Sequence, residues 1–177
     1  MKATGVVRRI DELGRIVIPK EIRKTMHIRE GENIEIFIDG DQNIILKKYS
    51  AIKKLDDFAQ RFTDVIYAFL KYNIMITDTD RVVAISGPLK KELNGEMLGQ
   101  DMLNVIKKRE SILEKTPKQL SITDNHSYKG SYMIHSIISN GDVVGLVILL
   151  SDEEKIGETE EKVVHIASQF LAKYLEE

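Results

Sequence analysis

The hydrophobic pattern changes period near residue 50, and the change separates a short β-rich head from a longer tail of helices and strands. In the head, residues 4–10 and 15–18 are rich in β-branched side chains. Asp11-Glu12-Leu13-Gly14 separates them, and Gly14 can take the positive φ that a tight turn needs, so the two runs are expected to form a hairpin. Pro19 suits the first position of a helix, and 20–27 reads as a short amphipathic helix with Ile22 and Met26 on its apolar side. Residues 33–39 alternate, with Ile34, Ile36 and Ile38 on one face and Glu35, Phe37 and Asp39 on the other, which predicts a half-buried strand. Asp39-Gly40-Asp41 supplies the turn into a second strand at 44–49.

Past Ser50 the period becomes helical. Leu55, Phe58, Ala59, Phe62, Ile66, Phe69 and Leu70 make an apolar stripe on a helix over 53–72. Strands are predicted at 74–77 and 82–86 around the polar turn Asp78-Thr79-Asp80-Arg81, followed by a helical region at 89–109 that Gly95 and Gly99 interrupt. Further strands fall at 119–123, 132–138 and 143–150, the last two joined by the hairpin dipeptide Asn140-Gly141. A final helix starts near Gly157 and carries Val163, Ile166, Ala167, Phe170, Leu171, Tyr174 and Leu175. An antiparallel sheet flanked by its first and last helices is an α+β, sensor-like layer architecture.

Four short strands and one small helix bury too little apolar surface for comfortable independent stability, so the head is expected to dimerise. In the tail, Phe62, Phe69, Phe170 and Tyr174 widen the helical stripes beyond what one sheet face needs, and the surplus points to a tetramer built through the first and last helices.

Composition narrows the function. The 42% hydrophobic content of the 177 residues fits an ordered chain. Its longest apolar run, 143–150, is far short of the ~20 residues of a membrane span, and there is no basic, apolar leader. A cytoplasmic, nucleoid-associated protein with no membrane partner is expected. The absence of cysteine excludes disulfides, thiolate metal sites and a cysteine nucleophile. The net charge of -2 conceals an asymmetry: residues 1–53 hold 11 Lys/Arg against 8 Asp/Glu, and the first thirty residues hold 8 against 4. Such a basic end suits a polyanion.

The cations are also patterned. Lys20, Arg23, Lys24 and His27 fall at i, i+3, i+4 and i+7, on one helical face, where like charges cost a few tenths of a kcal/mol per pair and so serve no structural end. Arg8 and Arg9 lie on the first strand and Arg15 begins the second. Strand neighbours alternate faces, so Arg8 and Arg9 point apart, and one of them is expected to bridge to Asp11 or Glu12. The planar guanidinium makes paired bonds to phosphate oxygens or to guanine.

Other candidates carry no chemistry. His27, His126, His135 and His165 lack ligand spacing, and His165 reads as a helix-surface residue. Asp78 and Asp80 lack the glycine and glutamate of a calcium loop. Met75, Met97, Met102 and Met133 read as core filling, Gly141 and Gly145 as a hairpin feature, and Asp152-Glu153-Glu154 as a solvated loop. No nucleophile, base or metal constellation marks an enzyme, and no cofactor is identified.

The run from Lys2 to Lys24, KATGVVRRIDELGRIVIPKEIRK, resembles the AbrB family of transition-state regulators almost position for position. The resemblance implies a swapped-hairpin β-barrel in which two chains interleave, with Arg8, Arg15, Arg23 and Lys24 presented to double-stranded DNA. Where the family commonly has arginine, Lys24 lacks the bidentate fork, which suits a phosphate contact. With Arg9 and Lys20 these residues form the candidate interface. The whole-chain layout is similar to sporulation regulators of this family that end in a GAF-like domain. It implies a DNA-binding domain over 1–53 and a GAF-like regulatory and oligomerisation domain over 54–177, acting on forespore-stage genes as activator and repressor. An unidentified small-molecule ligand of the GAF-like domain is a further implication; covalent bilin attachment is excluded without cysteine. The rival reading is an antitoxin of the AbrB/MazE type whose C-terminal part binds a toxin. Such a tail would be extended, whereas this one is periodic.

Overall fold

The computed structural model describes residues 5–152 and 156–176, without the side chains of Lys53 and Lys54. Thr4 of the first predicted strand and Glu153 and Glu154 of the acidic run lie outside the described residues. Contacts divide the chain into two units, Met1–Tyr49 and Ser50–Glu177.

In the first unit the predicted turn forms: the Asp11 N–H donates to the Arg15 carbonyl at 3.0 Å and the Gly14 N–H to that of Asp11 at 2.9 Å, with Gly14 at φ 76. The flanking runs do not become strands. No ladder joins 5–10 to 15–18 within one chain, and Val6, Val7, Ile10, Ile16 and Val17 are exposed, Val7 by 87%. A two-stranded hairpin with no layer beneath it gains too little burial to hold its ladder.

Pro19, at φ -56, leads into α1 (Lys20–Thr25). The helix is shorter than the predicted 20–27 because His27 turns left-handed (φ 53). The Ile28 N–H then reaches the Arg23 carbonyl (2.8 Å) and the His27 N–H that of Lys24 (3.2 Å), a Schellman closure usually built on glycine. Strands β1 (Ile34–Ile38) and β2 (Ile44–Lys48) pair antiparallel, with Ile36 opposite Leu46 and Ile38 opposite Ile44. The face expected to be half-buried is open in the single chain: Ile36, Ile38 and Ile44 are all exposed.

The second unit is built on an antiparallel sheet in the order β4-β3-β7-β6-β5, from β3 (Asn73–Thr77), β4 (Val82–Ser86), β5 (Ile112–Ser121), β6 (Ser127–Ser139) and β7 (Asp142–Ser151). Helices α2 (Asp56–Leu70) and α5 (Glu158–Tyr174) cover one face, over Ile74, Ile76, Val147 and Leu149; α3 (Lys90–Leu93) and α4 (Gln100–Lys108) cover the other, over Met75, Ile85, Leu146 and Ile148. Central β7 is buried on both sides, which is why it reads as a continuous apolar run.

The predicted helical region at 89–109 divides at its glycines into α3 and α4, and Asn140 (φ 50) and Gly141 (φ 84) form the predicted tight hairpin turn. Several expectations need correction. Strand β5 begins at Ile112 rather than 119, and β6 at Ser127 rather than 132; the register of the β5–β6 pair shifts between Glu114 and Lys118, where Lys115-Thr116-Pro117-Lys118 interrupts the alternation. The buried face of α5 is Val164, Ala167, Ser168, Leu171 and Ala172, while Ile166 of the predicted stripe is 64% exposed. The buried residues of α2 are Ala59, Thr63 and Ile66, with Phe69 exposed. Thr63 and Ser168 tolerate burial because each hydroxyl donates to a carbonyl of its own helix, Gln60 (2.9 Å) and His165 (2.8 Å). Gly145 lies in the β6–β7 hairpin opposite Ile137, and it also lets β3 approach, for a Cβ there would strike the Thr77 carbonyl oxygen. Among the described residues no helix is long and apolar enough to cross a membrane.

Candidate nucleic-acid interface

Arg15 is the best braced of the candidate cations. Its Nε donates to Asp11 Oδ2 at 2.7 Å, while Asp11 Oδ1 accepts the backbone N–H groups of Arg15 (2.8 Å) and Leu13 (3.0 Å). The backbone N–H of Arg15, and then its side chain, hold the Asp11 carboxyl below the usual carboxylate range. The Arg15 side chain remains 72% exposed, so the brace fixes the guanidinium without hiding it. The bridge expected from Arg8 or Arg9 to Asp11 is therefore made by Arg15 instead, four residues along the same turn. Arg8 and Arg9 are exposed on the extended segment before the turn.

On α1, Lys20 and Lys24 are exposed and Arg23 is half-buried. His27 leaves the helix, yet the Schellman closure folds it back, and an open concavity of about 380 Å³ is lined by Lys20, Arg23, Lys24 and His27 together with Ile28, Arg29 and Glu30. Among the described residues, none of Arg8, Arg9, Lys20, Arg23 and Lys24 makes an ion pair, in contrast to Lys48, which lies 3.0 Å from Glu32. In this concavity Lys20, Arg23, Lys24 and Arg29 outnumber the single carboxylate, Glu30, and the excess positive charge repels itself, a repulsion that a row of phosphates relieves. Sequence periodicity missed Arg29 because the helical pattern had already ended.

The second unit offers a different surface. Phe58, Phe62, Phe170 and Tyr174 stack across α2 and α5, with ring centroids 5.0 Å apart for Phe58 and Tyr174 and 5.5 Å for Phe62 and Phe170. Val65, Phe69 and Ile166 are exposed on the same two helices. Elsewhere the His135 and His165 rings meet edge-on at 5.3 Å; burial, and then the charge of His165, push the His135 imidazole below its usual range. No group of three or more metal-ligating side chains occurs among the described residues. Asp78 Oδ1 accepts the N–H groups of Asp80 (2.7 Å) and Arg81 (2.8 Å), which is turn chemistry. Met75, Met102 and Met133 fill the core as expected, whereas Met97 is exposed.

Residues 54–176 match the family model described as Stage V sporulation protein T C-terminal, transcription factor, and residues 7–54 match that described as Antidote-toxin recognition MazE, bacterial antitoxin. Over 178 aligned residues the chain is 43% identical to Stage V sporulation protein T of Bacillus subtilis (strain 168), with 100% of both chains covered. It is also 59% identical over 49 residues to Transition state regulatory protein AbrB of the same organism, covering 28% of this chain and 50% of that one. The solved GAF domain of A. Aeolicus nlh2 in an inactive state matches with a TM-score of 0.53 at 13% identity, covering 73% of this chain and 87% of that one. Both parts of the expected architecture, an AbrB-like head and a GAF-like α+β unit, are therefore present.

Proposed function

The chain belongs to the stage V sporulation protein T family, and on that premise we propose that it is a DNA-binding transcription factor of sporulation, with a head of residues 1–53 on double-stranded DNA and a GAF-like domain of residues 54–177 governing assembly. The observation that carries the reading is the set of cations that make no ion pair among the described residues, Arg8, Arg9, Lys20, Arg23 and Lys24, beside the braced Arg15. The head binds as an interleaved dimer, a swapped-hairpin barrel. Support for this comes from the unladdered segments 5–10 and 15–18 and the open face of Ile36, Ile38 and Ile44, all of which need a second copy to pair with and pack on. The aromatic face of α2 and α5 joins dimers into a tetramer. The opposite sheet face is occupied by fully buried side chains such as Met75, Leu93, Met102 and Leu146, so regulation is assigned to assembly and no small molecule is named.

The test is the salt dependence of DNA binding. A dimer that doubles Arg8, Arg15, Arg23 and Lys24 neutralises about eight phosphates, giving a log–log slope of about -7. Alanine at Arg15 and Arg23 should flatten it; a slope near zero in the wild type refutes the interface. The match of residues 7–54 to an antitoxin model favours a second reading, in which the tail binds a toxin. The two-layer core of the second unit speaks against it, and a tail that unfolds cooperatively without any partner would exclude it.

A further inference from the structure

We infer that the DNA-facing surface continues past α1 into the loop over 26–32, where Arg29 contacts the sugar–phosphate backbone, and that the half-buried Lys48–Glu32 ion pair is the positioning element for that contact. The inference rests on the DNA-binding reading above and adds to it one contact residue and one positioning pair.

The left-handed turn at His27 sends the chain back beside the helix instead of onward from it, and so Arg29 lines the same concavity as Lys20, Arg23 and Lys24. Arg29 is exposed, and among the described residues its side chain makes no ion pair or hydrogen bond. Its backbone is pinned. The Arg29 N–H donates to Glu32 Oε2 at 2.8 Å, Glu32 Oε1 lies 3.0 Å from Lys48 Nζ, and the same ammonium donates to the His27 carbonyl at 3.3 Å. One lysine on β2 thus secures both ends of the 27–29 segment. The side chains of Lys48 and Glu32 are only 13% and 19% exposed, so Lys48 is committed to this loop and does not itself reach a phosphate. Removing one partner of such a pair leaves the other half-buried without its counter-charge, which favours a shift of the loop that rehydrates it.

The shape decides which part of DNA Arg29 meets. Base edges are read by elements that project into a groove, whereas a concave, cation-lined wall receives the convex ridge of the sugar–phosphate backbone. An arginine there adds affinity without sequence preference.

The experiment uses the full-length protein, a short duplex selected by the wild type from a random pool, and a scrambled duplex, with binding followed by fluorescence anisotropy over a salt series. R29A should weaken both duplexes alike, by about tenfold at physiological salt, and should reduce the magnitude of the slope by about 2, since a dimer carries two copies. K48M should reproduce that loss, R29A/K48M should be no worse than either single variant, and K48R should restore binding. E32Q, which keeps an acceptor oxygen for the Arg29 N–H but removes the charge, tests the same point should K48M fail to fold. Additive losses of R29A and E32Q would overturn the positioning role. A loss confined to the selected duplex would overturn the backbone contact, and unchanged binding by R29A while R23A binds poorly would overturn the inference and leave the DNA-binding reading standing. If R15A and R23A also bind normally, that reading itself falls.

Discussion

Asp11 and Asp39 occupy equivalent places in the head, each closing its own loop with the same hydrogen bonds. Asp39 Oδ1 accepts the N–H groups of Asp41 (3.0 Å) and Asn43 (2.9 Å), as Asp11 Oδ1 accepts those of Leu13 and Arg15; Oδ2 takes the Asn43 amide at 3.0 Å where Asp11 takes the Arg15 guanidinium. The fourth position is left-handed in both, Gly14 in one loop and Gln42 (φ 62) in the other. Each is a type I turn followed by a left-handed bulge residue. They differ in what the fifth residue presents, a charge at Arg15 and a neutral amide at Asn43.

This equivalence predicts acid sensitivity. Hydrogen bonds from Arg15, backbone first, hold Asp11 below the carboxylate range, and those from Asn43, side chain first, do the same for Asp39. A carboxyl whose pKa is lower folded than unfolded contributes stability that is complete above about pH 4 and is lost as the pH falls through the folded value. Carbon-13 titration of the two carboxyls should give midpoints below that of free aspartate. Asp11→Asn and Asp39→Asn should flatten the fall in melting temperature below about pH 4; a midpoint at or above the free value would contradict the brace.

Phe62 and Phe170 stack at 5.5 Å at the centre of the aromatic face, and a carboxylate inserted there meets a desolvated partner surface if the face is an interface. Phe62→Glu with Phe170→Glu should convert the tetramer to a dimer in light scattering while the helical circular dichroism is kept. Equal masses for parent and variant would show that the face serves only its own domain.

Ile36 and Ile38 test the head dimer separately. In the chain already carrying the two phenylalanine substitutions, Ile36→Lys with Ile38→Lys should yield monomers in sedimentation at micromolar concentration and abolish DNA binding. A persistent dimer would place the head interface elsewhere.

Gly145→Ala should destabilise the second unit by about 1–3 kcal/mol, because the added methyl meets a backbone carbonyl, that of Thr77, in the middle of a sheet with no freedom to yield. Chemical denaturation would register this; a neutral outcome would mean that β3 and β7 can separate locally.

Much of this was legible in the sequence because long elements advertise their period. Helices α2 and α5 and the Asn140-Gly141 hairpin were predicted within a few residues. Periodicity placed Ala59, Ile66, Ala167 and Leu171 correctly on the buried faces but set the centre of each stripe too far toward its largest side chains. Large side chains such as Ile166 and Phe69 dominate a hydrophobic stripe, but Ala59, Ala167 and Ser168 let the helices approach the sheet, and the aromatic rings are left at the margin. The amino half of β5 was hidden because Pro117 and its neighbours read as a loop. In the head, the face shared by Lys20, Arg23 and Lys24 was visible from spacing, whereas Arg29 joins it through a left-handed histidine, and sequence marks that conformation clearly only when the residue is glycine or asparagine.

The two borders of the five-stranded sheet bear on how the protein survives crowding. A bare strand edge is a template on which other chains can grow. At β4 the border is occupied from within: the Val82 N–H donates to the Glu96 carbonyl at 2.9 Å and the Gly95 N–H to that of Val82 at 3.1 Å. At β5 it is spoiled, since Pro117 offers no donor, the register slips between Glu114 and Lys118, and Lys115 and Lys118 stand exposed on the rim. If copies of the chain gather through their helices as proposed, neither border of the sheet offers a clean template for strand addition, so that association is left to surfaces that can saturate.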